Sequence, residues 1–135
     1  QNVAEEVIAS LRVWNPTWTE EACRAEADRR LEEYGLIRYR RYSPYMLSQG
    51  QQRRLAVLSV LCGGQKLLLL DEPTYGQDAR SVQAIMAQLR SKVDAEGLSV
   101  IFITHDRALA AAWADKIYWL RGCKLEPAPA GEVLI

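Results

Sequence analysis

The sequence predicts an α/β domain with a parallel sheet, preceded by a helical segment. Three observations carry this expectation: two unbroken apolar runs at residues 67–70 and 99–104, a strongly amphipathic helical stretch between them, and a second helical stretch after the later run. Strand, helix, strand, helix is the order in which crossover helices pack back onto parallel strands. At 135 residues, 49% hydrophobic and 25% charged, the chain has the profile of an ordinary globular domain with one core.

Asn2 and Glu5 mark a helix start, and Val3, Val7, Ile8 and Leu11 recur at helical spacing until Trp14-Asn15-Pro16-Thr17-Trp18 breaks the pattern. Thr19 caps a second helix reaching about Tyr34, weakly amphipathic through Cys23, Ala27 and Leu31, with Gly35 as its terminator. Between Leu36 and Met46 no period survives. Ser48 then starts a helix carrying Leu55, Leu58 and Leu61 on one side and stopping at Gly63-Gly64. The four leucines at 67–70 are expected to form a central strand buried on both faces. Asp78 caps a helix with Val82, Ile85, Met86, Leu89 and Val93 on one stripe, closed by Gly97. Residues 99–104 form the second strand, and a helix from Asp106 to about Trp113 follows. Residues 117–120 add a strand that turns near Gly122 toward Lys124, Leu125 and Glu126, and Pro127 and Pro129 read as an exit.

Bulk electrostatics names no partner, because 17 Lys and Arg balance 17 Asp and Glu. The run Arg38, Arg40, Arg41, Arg53 and Arg54 lies near Glu20, Glu21, Glu26, Asp28, Glu32 and Glu33, so it reads as a solvated or ion-paired face, and no nucleic-acid binding is expected. No apolar run approaches the roughly 20 residues of a membrane-spanning helix. Cys23, Cys62 and Cys123 are odd in number and widely spaced beside a single His, which fits neither a disulfide framework nor a zinc site and suits a reducing compartment. The chain opens on Gln1 directly before a helix and reads as a piece of something longer.

In a parallel sheet, ligands gather at the carboxyl ends of the strands, which here are Asp71-Glu72 and His105. Adjacent carboxylates at a strand end point to different sides, so one can hold a hydrated metal ion while the other faces a reacting water. Alone, such a pair more often does no more than start a solvated turn. His105 follows the strand expected beside the one ending in Asp71, and its ring can reach the same crevice and orient a terminal phosphate. Ser48 and Gln51 fit a capping box. The box does not account for Gly50, because glycine in a first helical turn costs about 0.5–1 kcal/mol relative to alanine. A close backbone approach is expected there, and a helix N-terminus suits a phosphate.

Leu47-Ser48-Gln49-Gly50-Gln51, then residues 67–70 with Asp71-Glu72-Pro73, then Thr74-Tyr75-Gly76-Gln77-Asp78, then Ile103-Thr104-His105-Asp106 resemble, in this order and spacing, the ATPase subunits of ABC transporters. The resemblance identifies them as the signature loop, the Walker B strand with its glutamate, the D-loop and the switch histidine. It implies a partial P-loop NTPase (RecA-like) parallel sheet joined to a helical signature subdomain, with residues 1–62 as that subdomain and its signature helix, and 63–135 as the later part of the nucleotide-binding core. It further implies that Asp71 binds Mg²⁺ through water, that Glu72 is the general base, and that His105 contacts the γ-phosphate. Ser48, Gln49, Gly50 and Gln51 would touch ATP held by a second ATPase subunit, with Asp78 at that interface. Transmembrane transporter subunits would be the other partners, at the cytoplasmic face of the membrane. The Thr-Tyr-Gly-Gln-Asp form of the D-loop is most similar to energy-coupling-factor importers of vitamins or transition-metal ions.

Two departures qualify the resemblance. Gln49 stands where the family often has Gly. The phosphate cradle G-x-x-x-x-G-K-[ST], its adenine-stacking aromatic and the glutamine loop do not occur in these residues; Gly63-Gly64-Gln65-Lys66 lacks the spacer and the Ser/Thr and precedes its strand, and Gln1 adjoins a helix that begins after that loop in the family. The isolated chain is therefore expected to be inactive. A nonhydrolytic docking or assembly module, or a soluble ABC-type ATPase, is the alternative reading. An incomplete sheet with an exposed edge and apolar face is expected to associate, and exposed Trp14 and Trp18 would favour docking over a core role.

Overall fold

A computed structural model describes residues 1–129; Pro127 and Pro129 lie within it and residues 130–135 outside it. The chain opens with α1 (Val3–Trp14), whose capping box is formed reciprocally by Asn2 and Glu5. Thr19 caps α2 (Glu20–Glu33), accepting from the Ala22 N–H, and Gly35 follows in the left-handed conformation at φ +68°. Val3, Val7, Leu11, Cys23, Ala27 and Leu31 are all fully buried, so the two stripes read from spacing meet one another. Single 3₁₀ turns at Ile37–Tyr39 and Pro44–Met46 lead to α3 (Gln49–Val60). This helix stops earlier than its glycine pair suggests: Leu61 caps it, and Gly63 has a different task, since a Cβ there would overlap the indole of Trp14.

Strand β1 (Leu67–Asp71) pairs in parallel with β2 (Ser99–Ile103), Leu67 opposite Ser99 and Asp71 opposite Ile103. Between them runs α4 (Ala79–Glu96), capped by Asp78 and ended by Gly97 at φ +68°. After β2 comes α5 (Arg107–Trp113), then β3 (Tyr118–Arg121) and β4 (Lys124–Pro127), an antiparallel hairpin forming its own two-stranded sheet. Gly122 and Cys123 both take positive φ in the two-residue turn, the requirement of a type I′ hairpin.

Strand alternation divides the β1–β2 sheet into unlike faces. Leu68 is buried, and Leu70, Val100 and Phe102 pack against the core with α4 residues Ile85, Met86 and Leu89. The opposite face is open: Leu67 is 53% exposed, Leu69 68%, Ile101 57% and Ile103 61%. The expectation of a strand buried on both faces is therefore corrected. Within this chain β1 has a helical layer on one side only.

The arginine run also needs correction. Arg40 pairs with Asp28 at 3.0 Å, as an ion-paired face requires, but Arg54 donates to the Tyr34 carbonyl at the end of α2. Arg30 does the converse, donating from α2 to the Leu61 carbonyl at the end of α3 at 3.0 Å while its Nε bonds Glu26. Each helix thus supplies a guanidinium to the negative end of the other.

Candidate functional site

The parallel ladder continues past β1, with the Glu72 N–H donating to the Ile103 carbonyl at 2.9 Å. Glu72 then turns into the left-handed region at φ +45°, unusual for a residue with a Cβ. Its carboxylate thereby reaches the tip of β2, where Oε1 accepts the His105 backbone N–H at 2.9 Å and lies 3.7 Å from His105 Nε2. The His105 ring is otherwise fully exposed, free for an incoming group. Its loop is fixed from behind: the Thr104 hydroxyl accepts the Asp106 N–H at 3.0 Å, and the Asp106 carboxylate accepts the Leu109 N–H at 2.9 Å. Thr104 stands within the motif read from the sequence, but the hydrogen bond by which its hydroxyl holds the loop has no sequence signature.

Asp71 ends the strand on the open face, exposed and without an ion pair or hydrogen bond among the described residues. The described residues hold no cluster of three or more metal-ligating side chains. A single free carboxylate at a strand tip is a donor set that fits Mg²⁺, which keeps several waters and takes one or two protein carboxylates beside substrate phosphates. It would not suit a metal needing a full protein cage.

A second group forms at the start of α3. Ser48 Oγ accepts the Gln51 N–H at 3.2 Å, and Gln51 Oε1 accepts the Ser48 N–H at 2.9 Å. Ser48 keeps its hydroxyl proton and Gln51 its NH₂ group, and the Gln49 and Gly50 N–H groups precede the first intrahelical bond. Ser48 and Gln49 are exposed. Asp78 stands nearby at the start of α4, its carboxylate accepting the Ser81 N–H at 2.7 Å; that hydrogen bond holds it below the usual carboxylate range, with Arg54 as a lesser cause. Among the described residues no hydrogen bond or ion pair joins this group to Glu72 and His105. Gly50 is approached closely, as expected, but by the Gln77 carboxamide of the same chain.

Trp14 and Trp18, which flank the α1–α2 turn, are 51% and 43% exposed, so part of their aromatic surface faces outward. No helix among the described residues is long and apolar enough to cross a membrane. The three cysteines are free, and burial pushes the Cys62 thiol up, away from reactivity.

The model of the ABC transporter family matches residues 2–75. The chain is 40% identical over 107 residues to a protein of Bacillus subtilis (strain 168) named for HMP/thiamine import and ATP binding, spanning 78% of this chain and 19% of that protein. It is 38% identical over 120 residues to a nickel import ATP-binding protein of Rhodobacter capsulatus, spanning 87% of this chain and 47% of that one. Among solved structures, it resembles a dimeric ATP-binding cassette in a post-hydrolysis state bound to ADP and Pi, with TM-score 0.82 and 28% identity, over 93% of this chain and 54% of that chain. The chain thus spans from about a fifth to about half of these proteins' lengths.

Proposed function

The chain belongs to the ABC transporter family, and from that premise we propose that it is the later part of an ATP-hydrolysing cassette that drives import. The observation that carries this reading is the junction of Glu72 and His105 at neighbouring strand tips, with Glu72 Oε1 2.9 Å from the His105 N–H. A carboxylate held in place by a backbone donor is aimed without having to be ordered at the moment of reaction. In the proposed reaction Glu72 takes a proton from the attacking water, and His105, exposed beside it, donates to the γ-phosphate. Asp71 would hold the hydrated Mg²⁺, whose charge offsets that developing on the phosphate oxygens.

The Ser48 hydroxyl, the Gln49 and Gly50 N–H groups and the Gln51 NH₂ group are donors that the capping box leaves over, and we assign them to the nucleotide of a second cassette, with Asp78 at the interface between copies. Their separation from Glu72 and His105 supports that division, as does likeness to a dimeric cassette. Residues 1–62 would be the helical signature subdomain and 63–135 the later part of the nucleotide-binding core. The exposed Trp14 and Trp18 support docking of the helical part onto transmembrane subunits at the cytoplasmic face. Relatives named for thiamine and nickel import, together with residues 74–78, support an energy-coupling-factor type moving a vitamin or metal ion.

The test is Glu72→Gln in the full-length polypeptide. ATP turnover is expected to vanish while ATP-bound dimers accumulate; steady hydrolysis in that variant removes Glu72 from the base role. The 135-residue chain alone should show no MgATP binding by calorimetry, since the lysine and N–H groups of a phosphate cradle are not among its residues. Micromolar binding by the chain would overturn that expectation.

A further inference from the structure

Arg54 stands in the middle of α3, but a helical side chain leans toward the N-terminus of its helix, so its guanidinium is carried back over the turn that holds residues 48–51. Its Nη1 donates to the Tyr34 carbonyl at 3.0 Å. That carbonyl belongs to a rigid point: Tyr34 is buried, its N–H and that of Gly35 close back on the Arg30 and Glu32 carbonyls, and the Leu36 N–H reaches the Leu31 carbonyl at 2.7 Å. The guanidinium also lies against the helix terminator itself, since a Cβ at Gly35 would stand 3.3 Å from Arg54 Nη1. A cation at the carbonyl end of a helix is favoured by the dipole as well as by the bond.

No other hydrogen bond or ion pair holds Arg54 among the described residues, and its Nε is buried without an acceptor. Half-burying a charge on one bond costs desolvation that a packed apolar side chain would not, so stability alone does not account for an arginine there. Its counterpart Arg30 ties α2 to the Leu61 carbonyl at the far end of α3. Arg54 also acts at the start of α4, where its charge, behind the hydrogen bonds from Ser81, holds the Asp78 carboxyl low. We propose that Arg54 is a positioning residue: bonded to the end of α2, it fixes the first turn of α3, and with it residues 48–51, against the helical part. The proposal deepens the reading of those residues as facing the nucleotide of a second cassette and rests on it.

The experiment uses the full-length polypeptide in a Glu72→Gln background and reads ATP-driven dimer formation by sedimentation. Arg54→Met, which keeps the apolar stem, is expected to weaken pairing at least about tenfold, and Arg54→Lys to stay within about threefold of the parent, because an ammonium can make a single carbonyl bond. Arg30→Met removes the converse clamp and should leave pairing within about twofold, although it too lowers the melting temperature. Without nucleotide, the amide signals of Ser48, Gln49 and Gly50 should move in Arg54→Met and stay in place in Arg30→Met. Were Arg54→Met to melt more than about 5 °C below the parent, Arg54→Gln, which is polar but uncharged and shorter, takes its place in both measurements with the same expectations. Pairing by Arg54→Met at the parent level, equal weakening by Arg30→Met, an Arg54→Lys as weak as Arg54→Met, or unmoved amide signals would each overturn the proposal. Failure of the parent to pair on ATP overturns the functional reading with it, whereas a parent and an Arg54→Met that pair equally well remove this proposal only.

Discussion

The helical part and the sheet part of this chain solve the burial problem differently. In the helical part the stripes of α1 and α2, with Leu36, Leu55 and Leu58, are almost completely buried in a core that also takes in Leu68, Ile85 and Met86. The sheet part buries Leu68 against Ile85, Met86 and Leu89 and leaves Leu67, Leu69, Ile101 and Ile103 open on its other face. Parallel sheets normally carry layers on both faces. The difference shows that the described residues cover the helical stripes and only one face of the sheet, and that the strand tips bearing Asp71, Glu72 and His105 belong to the half-covered sheet.

Four measurements can break or sharpen this contrast. The largest effect is expected for Leu31→Ala or Leu58→Ala, which should cost about 2–5 kcal/mol in chemical denaturation. Leu69→Ala in the 135-residue chain should cost under about 0.5 kcal/mol, like other exposed positions; an equal loss at 69 would mean that the open face is covered. Next, Arg30→Ala should cost about 1–3 kcal/mol, since it strips a charged donor from the Leu61 carbonyl and leaves Glu26 with one partner fewer.

Glu26 also supplies a pH signature. The hydrogen bond from Arg29, and behind it that from Arg30, lowers its pKa from 4.5 to about 2 against the opposing effect of burial. A depressed carboxylate stabilises the fold above its unfolded value, and that contribution is lost as pH falls from about 4.5 toward 2. Melting temperatures should therefore drop across that window, and Glu26→Gln should flatten the drop; an unchanged slope would remove Glu26 from the acid response. The smallest effect concerns association. The 135-residue chain alone should form oligomers through its open face, and a monodisperse monomer in light scattering at high concentration would contradict this.

The elements were legible because their boundaries are chemical. Asn2, Thr19, Ser48, Asp78 and Asp106 all cap the helices expected of them, and Gly35 and Gly97 take the left-handed conformation that ends a helix. The meeting of Glu72 and His105 followed from counting one crossover helix between two apolar runs. What spacing could not reveal were partners distant in sequence. Nothing near Arg30 announces the Leu61 carbonyl, nothing near Gly63 announces Trp14, and nothing near Gly50 announces Gln77. Two-sided burial was over-read at residues 67–70 because an unbroken apolar run does not say how many layers will cover the strand, and the described residues cover one face.

The left-handed backbone at Glu72 places two independent filters on a single codon. The proposed base role would restrict the side chain to one that can carry a proton to and from a bound water. Conformation separately disfavours β-branched and bulky residues at a positive φ. The two demands together leave fewer residues than either alone, and a library that samples residue 72 should recover folded but inactive proteins chiefly as glycine, asparagine and unbranched residues such as glutamine, with valine, isoleucine and threonine depleted.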